Sequence, residues 1–206
     1  MKLHAFLLQV HAYPKQLEAL IDLLKAPNHY FFIHVDKKSR QMMQTSEIAR
    51  LKKRADVTFV PSVRVNHGGF SMVRATLNML EAAIASPKKF DYFHLISGQD
   101  YPCMSSAALD AVFEAGERSY MYFDSPEETE NWRKNKYLSR TQHYNYTDLY
   151  IPLVPQKIQT WMIKGLNKFA KSYKRPPIPN IYAGWQWFSW HRKVVEYVLR
   201  FLKDNP

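Results

Sequence analysis

Apolar residues run along this chain in short unbroken blocks that alternate with stretches of helical period. Ala5 to Val10 is the first block, of strand length, and His11-Ala-Tyr-Pro14 closes it as a loop. From Gln16 to Leu24 the apolar positions are Leu17, Leu20, Ile21 and Leu24, the spacing of one helix face. Tyr30 to Val35 predicts a second buried strand, ending at Asp36. A helix over Thr45 to Lys53 and a short strand over Val57 to Val60 follow. Leu77, Leu80 and Ile84 form the stripe of a strong helix over Val73 to Ala85. Tyr92 to Ile96 and Tyr120 to Phe123 read as strands, with a helix over Leu109 to Ala115 between them. Trp185 to Trp190 is strand-like and Arg192 to Leu202 helical.

Strand blocks that lack polar alternation are buried on both faces, and helices between them supply the cover. The expected fold is therefore α/β, with a mostly parallel central sheet flanked by helices. A single domain over 1–206 is expected. From Ser125 to Pro179 the pattern weakens into a stretch rich in Tyr, Pro and Lys, with one helix-like piece near Ile158 to Phe169. Long irregular segments in compact domains tend to be functional, so 125–180 is expected to be an insertion that carries acceptor contacts.

Charge narrows the partners. The net charge is +11, a field that attracts nucleic acid, anionic membrane or a nucleotide diphosphate. The basic residues are scattered, as in Lys37-Lys38 and Lys52-Lys53-Arg54, and join no nucleic-acid-binding motif. That argues against nucleic acid and leaves a phosphate-bearing ligand, with peripheral contact at a membrane face as a further partner. No apolar run approaches the roughly 18 residues of a membrane span. Cys103 is the sole cysteine, which excludes an internal disulfide and a Cys/His zinc pattern. A reducing, cytoplasmic setting is expected. Thirteen Tyr and five Trp suit ring stacking on sugars or bases, and equally suit a bulky core.

In open α/β sheets, ligands sit beyond the carboxyl ends of strands. His11 follows the first strand, His34-Val-Asp36 ends the second, and Ser97-Gly-Gln-Asp100-Tyr-Pro102 follows the strand at Tyr92. These side chains are expected to converge on one cleft. Asp36 is placed to accept hydrogen bonds from a ribose hydroxyl or a uracil N–H, or to cap the turn Lys37 to Ser39. His34 and Asp36 share a face, but two ligands without a third are weak grounds for a metal. Gly68-Gly69 precede the strong helix, where Ser71 can cap it or its N-terminus can face a phosphate. Asp100 either serves a ligand or caps its own turn. In Gly184-Trp-Gln-Trp-Phe-Ser-Trp190, Trp185 and Trp187 share one face and Gln186 and Phe188 the other. A Trp ring beside an amide suits a sugar, while core packing is the better account of Trp190. There is no G-x-S-x-G, phosphate-loop, G-x-G-x-x-G or H-E-x-x-H motif, and no D-x-D.

Four segments in order resemble the core-2/I-branching β-1,6-N-acetylglucosaminyltransferase family, which includes the peptide O-xylosyltransferases. They are Phe32-Ile-His-Val-Asp-Lys-Lys-Ser39, Gly68-Gly-Phe-Ser-Met-Val-Arg-Ala-Thr-Leu77, His94-Leu-Ile-Ser-Gly-Gln-Asp-Tyr-Pro102, and Gly184-Trp-Gln-Trp-Phe-Ser189 with Arg192 and Glu196-Tyr-Val198. The resemblance implies a GT-A-like fold and inverting transfer of N-acetylglucosamine or xylose from a UDP-sugar to a glycan, polysaccharide or peptide hydroxyl. It implies no cofactor and no divalent metal, which the absent D-x-D matches. By position, His11, Asp36, Gly68, Gly69, Ser97 and Asp100 look like donor-side contacts, and Gln186 and Trp187 like sugar or acceptor contacts. The family's catalytic base, a Glu in a short Pro-containing acidic motif, is expected beyond Pro206, as in a C-terminally truncated, bacterial-type member. Asp100 and Glu196 are the carboxylates to weigh within the chain. Two rivals stand beside this reading: a non-catalytic glycan- or nucleotide-binding remnant, and a nucleic-acid-binding protein supported by charge alone.

Overall fold

Seven-residue blocks with nearly every position buried can form only the inside of a covered sheet, and they do so here. The computed structural model describes residues 1–132, 134, 141–176 and 182–205. Its strands are β1 (His4–Val10), β2 (His29–Val35), β3 (Val57–Phe59), β4 (Tyr92–Ser97), β5 (Tyr120–Phe123) and β6 (Gly184–His191). They form a sheet of order β3-β2-β1-β4-β6-β5. β1 pairs in parallel with β2 and β4, β2 in parallel with β3, and β6 runs antiparallel to β4. The helices are α1 (Pro14–Leu24), α2 (Ser46–Leu51), α3 (Phe70–Ala85), α4 (Ser106–Glu114), α5 (Pro126–Trp132), α6 (Gln156–Ala170) and α7 (Arg192–Asp204). The α/β class and the mostly parallel, helix-flanked sheet are as the alternation predicted.

The chain divides into two compact units. The first comprises Met1–Val65, Val73–Met121 and Gln186–Pro206; the second comprises Asn66–Met72 and Tyr122–Trp185. In the first unit the period-2 alternation of β1 sorts its side chains onto two cores. Ala5 and Leu7 join Phe32, Phe93, Leu95 and the α3 residues Met79, Leu80 and Ala83 on one face. Phe6, Leu8 and Val10 join Phe31, Ile33, Val35 and the α1 residues Leu17, Leu20, Ile21 and Leu24 on the other.

Several element ends differ from expectation for local reasons. α4 begins at Ser106 because Ser105 Oγ accepts the Ala108 N–H, three residues earlier than apolar spacing alone indicates. A 3-10 turn, Met42–Gln44, precedes α2 and buries Met42. Part of the expected insertion, at 133, 135–140 and 177–180, lies outside the described residues. Within the rest, α5 was not expected. It starts in a capping box: Glu128 N–H donates to Ser125 Oγ and Ser125 N–H donates to Glu128 Oε2. α6 starts two residues before the expected helical piece. Among the described residues, no helix is long and apolar enough to cross a membrane.

Candidate functional site

The strand order reverses between β1 and β4: β2 and β3 lie on one side of β1, and β4 on the other. That switch point is where an open α/β sheet leaves a crevice at its carboxyl edge. The loops that leave β1 and β4 meet there. Gly98 N–H donates to Gln9 O, and Gln16 Nε2 of α1 donates to Gln99 O. Gly98 is buried against Val10, and a Cβ at this position would lie 2.8 Å from Val10 Cγ2. Only glycine lets the β4 turn pass so close to β1.

Within the first unit, six expected site residues share this edge. His11 is exposed after β1, and its carbonyl accepts the Ser39 hydroxyl at 2.6 Å. Asp36 N–H donates to Val10 O, which ties the β2 end to the β1 end. Asp36 Oδ1 accepts the N–H groups of Lys38 (2.8 Å) and Val65 (3.3 Å), so the capping role is realised. Its Oδ2 lies 3.6 Å from Lys38 Nζ. Asp100 likewise closes its own turn, with Oδ2 accepting the Ser97 N–H at 2.8 Å. The β4–β6 register pairs Leu95 with Phe188. Gln186 and Trp187 precede Phe188 on β6 and so continue that strand toward the carboxyl end of β4. Gln186 is exposed, whereas Trp187 is half-buried against the core, as is Trp190.

The other candidates belong to the second unit or are already engaged. Gly68 and Gly69 belong to the second unit. Gly68 has φ +75°, a left-handed turn residue. The helix start they precede is filled by Asp148 of the same unit, which accepts from Ser71 N–H (2.7 Å) and Ser71 Oγ (2.6 Å). Asn66 Nδ2 adds a 3.2 Å bond to the same carboxylate. A carboxylate thus occupies the position considered for a phosphate. His34 Nε2 accepts the Val63 N–H at 2.9 Å, so that nitrogen is not free for a metal. Burial holds the His34 pKa below its ordinary value. Glu196 is a half-exposed member of α7, paired to Arg192 at 2.6 Å.

Two features escaped the sequence reading. Tyr13, exposed in the loop after β1, adopts a left-handed backbone with φ 58° and ψ 63°. A bulky residue pays for that conformation, and such strain gathers where ligands bind. The second feature is a cluster at the opposite strand ends, of the buried His4, His29 and His94 with the half-buried Asp110. A shallow hollow of about 690 Å³ also opens at the start of β2, beside Lys25, Tyr30, Arg54 and Lys88. Its Arg54 is already held by Asp22 at 2.5 Å and by Asp56 at 2.7 Å, and it lies away from the carboxyl edge.

A β-1,3-galactosyl-O-glycosyl-glycoprotein β-1,6-N-acetylglucosaminyltransferase of Bovine herpesvirus 4 is 26% identical over 207 residues, covering 98% of this chain and 41% of that protein. The chain therefore spans about two fifths of that relative's length. Xylosyltransferase 2 of Canis lupus familiaris is 32% identical over 110 residues, covering 52% of this chain and 13% of its own. Among solved structures, the 4-diphosphocytidyl-2C-methyl-D-erythritol synthase of Anaerococcus prevotii aligns with a TM-score of 0.44 at 10% identity, over 97% of this chain and 76% of that one. The model of one family, described as Core-2/I-Branching enzyme, matches residues 4–206, and the chain belongs to that family.

Proposed function

We propose that this chain carries the donor side of a glycosyltransferase that moves N-acetylglucosamine or xylose from a UDP-sugar to a hydroxyl of a glycan, polysaccharide or peptide. The observation that supports it most is the gathering of His11, Asp36, Ser97, Asp100 and Gln186 at one switch-point edge, in a chain of this family. In the proposed reaction an acceptor hydroxyl displaces UDP in a single step with inversion, while a carboxylate takes the hydroxyl proton. Asp36 Oδ2 accepts from the uridine, His11 borders it, and Gln186 offers its amide to sugar hydroxyls. The departing diphosphate is stabilised by protein groups rather than by a metal at this edge. The absence of any D-x-D pair in the chain supports that. No described residue is assigned as the base.

Calorimetric titration of UDP into the protein, with and without EDTA, tests the reading. Binding that is unchanged by EDTA is expected. Absence of UDP binding would overturn the donor-site assignment, and loss of binding in EDTA would overturn its metal independence. UDP release measured across a panel of UDP-sugars then selects the donor.

A further inference from the structure

The amino ends of β1 and β2 hold a second constellation, far along the strands from the switch-point edge. His4 and His29 are direct partners in the parallel β1–β2 register, so their side chains leave the same face side by side. α4 covers that face and lowers Asp110 between them. His29 Nε2 lies 2.7 Å from Asp110 Oδ1, and His4 Nε2 lies 3.4 Å from the same oxygen. Both histidines are 1% exposed.

The remaining ring nitrogens are engaged in the way that metal-ligating histidines require. His29 Nδ1 sits 2.6 Å from Leu24 O, a carbonyl that can only accept, so this nitrogen carries a proton. In a neutral ring the His29 Nε2 is then a bare lone pair, 2.7 Å from a carboxylate oxygen. Two acceptors that close need a proton or a metal ion between them. His4 Nδ1 meets His94 Nε2 at 2.9 Å, and His94 Nδ1 meets Ser189 Oγ at 2.8 Å. That chain runs equally well with the His4 proton on Nδ1, which frees His4 Nε2 as a ligand. Asn28, 1% exposed, borders the cluster. Its Nδ2 contacts Asp110 Oδ1 at 3.2 Å, while its Oδ1 is buried without a partner.

We infer that His4 Nε2, His29 Nε2 and Asp110 Oδ1 form a structural site for one divalent transition-metal ion of the zinc class. The three ligand atoms lie within 4.8 Å of one another. Side-chain shifts of about 1 Å bring them to the roughly 3.3 Å separations of a tetrahedral ion with 2.0–2.2 Å bonds. Two imidazoles and a carboxylate are a common zinc donor set. The ion ties β1, β2 and α4 together at the sheet's amino end. It takes no part in chemistry at the carboxyl edge, so this inference and the donor-site proposal stand or fall separately.

The protein is stripped with EDTA, dialysed and titrated with Co2+ as a spectroscopic probe, then with Zn2+ in competition. The expected result is one equivalent of Co2+ with the visible spectrum of a tetrahedral site, displaced by Zn2+, and a metal-dependent rise in Tm. Asp110→Asn should weaken Co2+ binding at least tenfold while its circular dichroism and UDP binding stay unchanged. The wild type gives a second readout that needs no variant. Co2+ loading should produce two strongly shifted, exchangeable imidazole N–H signals, from the Nδ1 protons of His4 and His29. Absence of stoichiometric Co2+ binding, equal affinity in Asp110→Asn, or no shifted imidazole N–H signals would each overturn the site and leave a hydrogen-bonded cluster only.

Discussion

Mild acid should weaken this fold before its carboxylates titrate, and His4 sets the size of the effect. His4 is 1% exposed and lies among the rings of Phe113, His94 and Tyr92, surroundings that favour its neutral form. Burial first, and then the charge of His29, brings its pKa from 6.5 to about 4; Asp110, Asp91 and Glu114 oppose this without offsetting it. A histidine depressed in this way binds fewer protons folded than unfolded between those two values. Its contribution is therefore complete above the unfolded pKa of 6.5 and is lost as the pH falls toward the folded value of about 4. At about 1.4 kcal/mol per pH unit, the whole gap amounts to about 3 kcal/mol. About 2 kcal/mol of that is gone by roughly pH 5. Burial also holds His94 well below its ordinary value and His34 below it, so both add in the same direction. Against a total stability of about 5–15 kcal/mol, this is a large fraction.

Urea unfolding in EDTA, followed by tryptophan fluorescence and circular dichroism at about pH 7, 6 and 5, measures it. EDTA is needed because a metal on the imidazoles would compete with protons. The midpoint should fall steadily over this range, and the fall should be smaller in His4→Phe, which cannot take up the proton. Asp56, Glu18, Glu117 and Glu128 are all held below their ordinary values by partners, so their losses come below about pH 5 and do not mimic the effect. A stability that is flat between pH 7 and 5, or an identical slope in His4→Phe, would refute the assignment.

Three further outcomes follow from single contacts. Gly98→Ala should cost about 1–3 kcal/mol in chemical denaturation through collision with Val10, and Val10→Ala in the same chain should recover part of that loss; strict additivity of the two would contradict the close approach. Asp148→Ala removes the acceptor of Ser71 N–H, Ser71 Oγ and Asn66 Nδ2, and should destabilise the start of α3 by about 1–2 kcal/mol, read as faster amide exchange at Ser71 and Met72. Asp36→Asn keeps an oxygen for the Lys38 and Val65 N–H groups but turns Oδ2 into a donor, so UDP affinity measured by calorimetry should drop about tenfold with Tm little changed.

The features that could be read from the chain were those whose partners are close in sequence. Val10-His11, Val35-Asp36 and Ile96-Ser97 each mark a strand end by a local change from apolar to polar, and the structure brings all three to one edge. The capping box Ser125-Pro-Glu-Glu128 was equally local and was passed over because the surrounding segment lacks an apolar stripe. The histidine cluster has no local sign. His29 meets Asp110 across 81 positions and His4 meets His94 across 90, and both contacts exist only once the β1–β2–β4 register is set. The same holds for Asp148 at the α3 start, 77 positions from Ser71.

The engaged oxygens also separate roles that residue type leaves open. Asp36 and Asp100 each give one carboxylate oxygen to backbone N–H groups of their own turns. Such bonds hold the group still, which suits a side chain that accepts from a nucleoside. A proton-abstracting base has the opposite requirement: it must weaken those bonds as it protonates, which raises the barrier to the transfer it performs. Glu196 is exposed on α7 and tied to Arg192. On the proposed reading, then, Asp36 and Asp100 seat the donor, and the proton passes to a group other than these three carboxylates.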